Sequence, residues 1–408
     1  MRPASQPPRE RDGSRGAGGP GADTAALPVY RFTYLADEVE VSPRAHALMC
    51  LAEHAAGAFD HAVRGVADPA ALVTCLQLRD VLNSARLAGH TATPVETWQA
   101  ALVLTHHDRS APAGEAGADP LSRFIGAARL LEREISNGRR NDIDLHGEVS
   151  AALTGKSPRS AREGLRRDEG VLAAAPDSPP YARTTPPAEL GHALAEWDRW
   201  VASPLVGPRL VRIAVAHAVL ELSRPYPEAN GHVSQLFSSA EMVRRGLTRD
   251  LSLSLSYWLD ERGEECHRHL RDLVRGGPWS PWVEFFARGV HEQAVANLDL
   301  VEAQAALREE LRDRVADEAR KSPALRAVVA ALPTAPVTSS HALTVRHGIS
   351  PKTAWKITQD LERNGTLRVL AQHPFKIFVC DRAMDVLTLQ RAAIPQQIPA
   401  TFAPEPPR

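Results

Sequence analysis

A mainly α fold is predicted for this chain by three observations. Leu210 to Leu222 is an apolar run broken by Arg212, His217 and Glu221 without Gly or Pro, the pattern of a largely buried helix. Val233, Leu236, Phe237, Ala240, Met242 and Val243 then recur at helical spacing until Arg244-Arg245-Gly246 closes the segment with basic residues and a glycine. Low aromatic content (5%) with much Ala, Arg and Leu suits helices throughout.

Composition bounds the rest. At 408 residues, 43% hydrophobic and 24% charged, the chain has room for two or three cores. A formal net charge of -1 argues against a globally basic nucleic-acid coat and leaves room for a local patch. Cys50, Cys75, Cys266 and Cys380 form no CxxC pair, so neither a disulfide framework nor a zinc site is indicated, and Cys266-His267-Arg268-His269 has no second ligand cluster nearby. No eighteen apolar residues run together, and the N-terminus lacks a signal peptide's apolar centre, so a cytoplasmic protein with no membrane partner is expected.

Taken in order, residues 1–28 are rich in Pro, Gly, Arg and Ser and read as a disordered tail. Residues 29–120 form a helical region, with amphipathic segments from Ala45 to Val63 and from Ala70 to Ala88. A core over residues 121–298 begins with helices at Leu121 to Ile135 and Asp142 to Leu153. Thr154 to Pro187, with six prolines, is a surface excursion. Ala188 to Val201, the central pair, Leu251 to Leu259 and His267 to Val274 follow as helices, and Trp279, Trp282, Phe285 and Phe286 read as core packing. Residues 299–322 are a charged helical connector whose thin stripe of Leu300, Leu307, Leu311 and Val315 marks a spacer or the arm of a homodimer. In residues 323–390, Ala324 to Leu332 opens a small unit. His341 to His347 and a helix capped by Ser350, begun by Pro351 and stopped by Gly365 follow; Thr366 to Leu370 and Lys376 to Cys380 are β-rich. Residues 391–408 are a Pro-rich, disordered tail.

The central loop, Ser223-Arg224-Pro225-Tyr226-Pro227-Glu228-Ala229-Asn230-Gly231-His232, carries the chemistry. Two prolines stiffen it, and Asn230-Gly231 is expected to turn the backbone into a helix whose first amides face back. Such amides suit phosphate, and Glu228 suits a magnesium ion that phosphates also touch. A ligand-free Pro/Asn/Gly connector is the other reading.

Ala216-His217 followed by Ser223 to His232 resembles the Fic (Fido) signature, AHxxFxxIHPFxDGNGRxxR. That resemblance implies an all-α bundle, ATP and Mg2+ as cofactors, and transfer of AMP to a hydroxyl of a target protein not identifiable from sequence. It places Arg224 at the catalytic position, Glu228 at the metal, and Asn230, Gly231, His232 and Gln235 at the nucleotide phosphates. The departures are specific. The family's histidine base is Arg224, and an arginine guanidinium does not accept a proton at working pH. Ala229 replaces a glycine, and His232 and Gln235 replace phosphate-binding arginines.

Further likenesses flank the loop. Asn83 to Thr93 resembles the family's inhibitory stretch SSxIEGTxAT: Ser84 and Gly89 match, while Ala88 stands for the inhibitory glutamate. Thr184-Thr185-Pro186-Pro187 sits where the family carries a hairpin flap, and Gly164-Leu165-Arg166 resembles its G-x-[FY]-R; a plain linker is the alternative. The C-terminal unit resembles a winged helix-turn-helix. It would offer Lys352, Thr353 and Lys356 to DNA, with Arg368 and Lys376 on the wing; protein contact is the alternative use. The reading is a catalytically impaired Fic-like protein binding nucleotide or acting as a regulator, with DNA binding possible. The alternative is an active protein adenylyltransferase in which His217 or His232 replaces the base.

Overall fold

The computed structural model describes residues 24–32, 39–87, 92–106, 120–156, 164–175, 178–204, 207–320, 322–372 and 375–388. Ala88 and Gly89 of the inhibitory-like stretch lie outside the described residues, as do both terminal tails beyond residues 24 and 388. The fold is mainly α.

After a short turn at Thr24–Ala26, α1 (Pro43–Gly65) starts at a Ser42 cap whose hydroxyl accepts the Ala45 N–H at 3.0 Å and donates to Glu284 at 2.7 Å. Next come α2 (Pro69–Leu87) and α3 (Pro94–His106). The start of α3 is a capping box: the Thr93 hydroxyl accepts the Glu96 N–H at 3.2 Å, and the Glu96 carboxylate accepts the Thr93 N–H at 2.8 Å. Then α4 (Pro120–Ser136) leads to α5 (Ile143–Thr154), capped by Asp142.

The proline-rich excursion contains an antiparallel hairpin, β1 (Val171–Leu172) and β2 (Ala182–Arg183), anchored by buried Thr184 and Thr185. It leads into α6 (Pro187–Ala202), then the central pair α7 (Arg209–Ser223) and α8 (Asn230–Arg244). All but two residues of α7 are buried, as the apolar run requires. Past it, Leu251 to Leu255 is an irregular stretch with Leu251, Leu253 and Leu255 buried; the helix expected there, α9, begins at Ser256 and ends at Glu261.

After α10 (Gly263–Val274), the expected boundary at Asp299 is absent: α11 runs unbroken from Ser280 to Arg314 and packs along α1. On another side of α11, Gly289 lets α9 approach, since a Cβ there would sit 2.7 Å from the Trp258 ring. A short α12 (Ala316–Arg320) and α13 (Pro323–Ala331) follow. The thin apolar stripe of α11 is consumed internally, because Leu307, Leu311 and Val315 join Leu325, Val328 and Val329 in one buried cluster. A dimer through that stripe is therefore not available.

Beyond it, β3 (Val337–Ser339), α14 (Ser340–His347), α15 (Pro351–Arg363), β4 (Arg368–Ala371), β5 (Ile377–Val379) and α16 (Asp381–Thr388) form a unit around an antiparallel sheet of order β3-β5-β4. The unit packs on α3 and α11, with Arg382 pairing Glu310 at 2.7 Å and Arg346 pairing Asp68 at 3.1 Å. Among the described residues no helix is long and apolar enough to cross a membrane.

Candidate functional site

The end of α7 and the head of α8 build the loop. Arg224 caps α7 in the left-handed region at φ 42°, its N–H reaching the Leu220 carbonyl at 3.0 Å, and Ala229 caps α8 at φ 59°. The sharp turn into α8 is thus made by Ala229, whereas the sequence reading assigned it to Asn230-Gly231. Gly231 lies in the first turn, where a Cβ would meet only Glu221 at an ordinary 3.7 Å.

Two side chains hold the loop. Asn230 accepts the Tyr226 N–H at 2.9 Å and donates to the Tyr226 carbonyl at 2.7 Å, so both ends of its amide are spent on the loop backbone. Arg166, buried, donates to the carbonyls of Arg224 and Asp168 at 2.7 Å each, of Ser223 at 3.1 Å and of Thr185. Its own N–H reaches the Pro225 carbonyl at 2.9 Å. A guanidinium at the carbonyl end of α7 satisfies groups the helix leaves orphaned and complements its dipole. Arg166 therefore fastens the hairpin to the loop.

Beneath the loop, His217 staples α7 to α8: its Nδ1 lies 2.8 Å from the Ser238 hydroxyl and 3.1 Å from the Ser234 carbonyl. Burial pushes its pKa down, and its ring lies against Trp282 and Phe286. His232 is 5% exposed with its ring 4.6 Å from that of Phe124. Gln235, also buried, accepts the Ser84 hydroxyl at 3.3 Å, so two residues 151 apart that sequence singled out separately do meet. The Tyr226 phenol is buried without a hydrogen-bond partner among the described residues, and burial, with Asp144, pushes its pKa up.

The residues fit a nucleotide only in part. The His232 and Val233 amides are given to the Ala229 carbonyl at 3.1 Å, leaving those of Asn230 and Gly231 at the head of α8. No guanidinium stands on the first two turns of α8. Glu228 is exposed, 3.3 Å from Lys156; magnesium takes one or two carboxylates together with substrate phosphates and waters, so Glu228 suits it as a single ligand beside a phosphate chain. Among the described residues no group of three His, Cys, Asp or Glu is placed to hold a metal.

A second set of side chains, absent from the sequence reading of the site, joins the hairpin to α10 within electrostatic reach of Arg224. Tyr181 of the hairpin places its OH 3.1 Å from Nδ1 of His267 on α10, and Arg271 lies over the Tyr181 ring at 4.9 Å. Burial pushes the His267 pKa down; Glu221 opposes that shift and Arg224 adds to it. The Glu221 carboxylate accepts the Ser234 hydroxyl. A cavity of about 340 Å³ lined by His269, Asp272 and Trp282 includes none of the loop residues.

In the C-terminal unit Lys352 and Lys356 are exposed on the first turns of α15, and Thr353 bonds the Ser350 cap at 2.9 Å. The expected wing cations are engaged: Arg368 grips Asp381 at 2.7 Å and Lys376 meets Glu362 at 2.8 Å.

This architecture is a Fic (Fido) fold. In particular, the chain is similar to a Fic family protein of Desulfovibrio desulfuricans G20, at 14% identity and TM-score 0.51, over 84% of this chain and 97% of that one. A weaker likeness, 15% identity and TM-score 0.44 over 64% of this chain and 73% of the other, is to Fic-1 (aa134–508) from C. elegans. No family model matches the sequence.

Proposed function

We propose that this chain is a regulatory descendant of the Fic AMP transferases, whose loop binds a nucleotide or related phosphate compound without transferring it efficiently. One observation carries the reading: a guanidinium, Arg224, stands at the base position, and both histidines considered as substitutes are engaged elsewhere. His217 is stapled between the helices, and His232 is buried against Phe124. A positioned base contributes on the order of a hundred- to ten-thousandfold in rate, so its loss leaves binding as the surviving property. Incubation with labelled ATP, magnesium and cell extract tests this. Negligible incorporation by the natural chain, raised by Arg224→His, is expected. Brisk labelling that disappears on Glu228→Ala would instead establish an active protein adenylyltransferase.

A second reading, duplex DNA binding, rests on the outward face of α15. Trp355 is 60% exposed there between exposed Lys352 and Lys356, a basic and aromatic surface on a helix narrow enough for a major groove. Titration of a DNA duplex pool at increasing salt should show affinity falling with salt, less steeply in K352A/K356A; binding unaffected by that double change would reject this reading.

A further inference from the structure

On and near the hairpin and α10, arginines are generally matched to acceptors: Arg166 to four carbonyls, Arg183 to Glu169 at 3.2 Å, Arg262 to Glu292 at 2.9 Å and Arg288 to Glu265 at 2.7 Å. Two depart from this. Arg224 forms no ion pair among the described residues, and its Nε is buried without a hydrogen-bond partner. Arg271 likewise has no carboxylate partner among them; its guanidinium lies over the Tyr181 ring. Both act electrostatically on one pair, Tyr181 and His267. The balancing carboxylate nearby, Glu221, is turned to the Ser234 hydroxyl.

A half-buried cation with an orphaned donor is costly to maintain, and a bound anion would satisfy it. We propose that Arg224, Arg271, Tyr181 and His267 form a binding site for the phosphoryl group of an organic phosphate, set between the hairpin and α10. Two guanidiniums against one carboxylate favour a group carrying nearly two negative charges over a carboxylate, and their forked donors match phosphate oxygens. The phenol and imidazole supply neutral hydrogen bonds beside them. The phosphoryl group can belong to a nucleotide or to a phosphorylated side chain, since both present the same oxygens. This rests on the proposal that the loop binds instead of transferring, and it assigns Arg224 the central contact.

Calorimetric titration of the full chain with MgATP, AMP, O-phosphotyrosine, inorganic phosphate and acetate tests it. Binding of AMP or O-phosphotyrosine, weakened at least about tenfold by R224A and by R271A while acetate fails to bind, is expected; whichever ligand binds more tightly identifies the source. Matched thermal melts establish that both variants fold, and Y181F should weaken binding less than either. If no phosphate compound binds the natural chain at millimolar concentration, the site is wrong. If MgATP binds but R224A and R271A bind it unchanged, this site is wrong while the loop's nucleotide reading stands. If phosphate binding depends on both arginines yet MgATP does not bind, the nucleotide reading falls and this site stands.

Discussion

The chain turns between paired helices at two comparable places, and it builds them by opposite means. Between α14 and α15 the left-handed residue is Gly348 at φ 63°, and Ser350 caps the next helix by accepting the Thr353 N–H at 3.1 Å. Between α7 and α8 the left-handed residues are Arg224 and Ala229, neither a glycine. The first turn follows local rules and needs no distant support. The second violates them, leaves the Arg224 Nε and the Tyr226 hydroxyl buried without partners among the described residues, and is held by Arg166 and Asn230. Strain and orphaned polar groups persist only where surrounding structure imposes them, and they concentrate at functional sites. The comparison therefore marks the loop, and not the Gly348 turn, as the place where surrounding structure overrides local preference.

The largest test removes the support. Arg166→Ala would leave the carbonyls of Ser223, Arg224, Asp168 and Thr185 without their donor, at a cost of about 3–5 kcal/mol. Denaturant unfolding measures this, and Arg166→Lys should recover only part of the loss because an ammonium lacks the fork. A loss below about 1 kcal/mol would mean that the loop holds its own shape, as the Gly348 turn does.

Acid should act where α5 packs between α6 and α8, away from the loop. Burial pushes the pKa of His146 down to about 3, and its Nε2 lies 2.9 Å from the Asn141 side-chain oxygen. In the unfolded chain a histidine takes its proton near pH 6.5, whereas folded His146 stays neutral until far lower pH. Across that window the unfolded state binds more protons, so stability falls as pH drops from about 6.5 toward 3, by a few kcal/mol from this group. Equilibrium unfolding at stepped pH checks it. His146→Gln, which keeps a polar partner for Asn141 and removes the titration, should flatten the slope.

Asn230→Ala removes both bonds to the Tyr226 backbone and should cost about 1–2 kcal/mol in the same unfolding assay. A cost near zero would show that Pro225 and Pro227 alone set the loop.

How much of this was legible beforehand follows from how local each signal is. Ser350-Pro351 and Gly365 marked the limits of α15 because caps are read from neighbouring residues. The same logic delimited α5 at Asp142. By contrast β3 is three residues long and pairs with β5 about forty residues later, so nothing in its own sequence announces a strand. The change to charged composition at Asp299 suggested a boundary, yet helix propensity continues through it and α11 does not break. At the site, Arg224, Glu228, Asn230 and Gly231 were visible because they are contiguous, and Ser84 with Gln235 because each fell in a motif. Tyr181 and His267 lie 86 residues apart and meet only through the hairpin's position over α10. The one sequence signal was His267 within Cys266-His267-Arg268-His269, a run suggestive of a metal site.

The smallest expected effect is the sharpest test of the comparison. Ala229 sits at φ 59° and ψ 19°, a conformation that costs an ordinary L-residue roughly 1–2 kcal/mol and glycine almost nothing. Ala229→Gly recovers that strain but gives the unfolded chain back roughly 0.5–1 kcal/mol of freedom, so a net gain of about 0–1 kcal/mol is expected. Gly348→Ala runs the exchange in reverse, and its Cβ would meet nothing within 4 Å, so a loss of about the same size should report backbone conformation alone. Equal and opposite shifts in urea midpoint would show that Ala229 is strained to the degree its dihedral implies. A destabilising Ala229→Gly would mean instead that the methyl group contributes packing that outweighs the strain, and the loop would then be less taut than its two left-handed residues indicate.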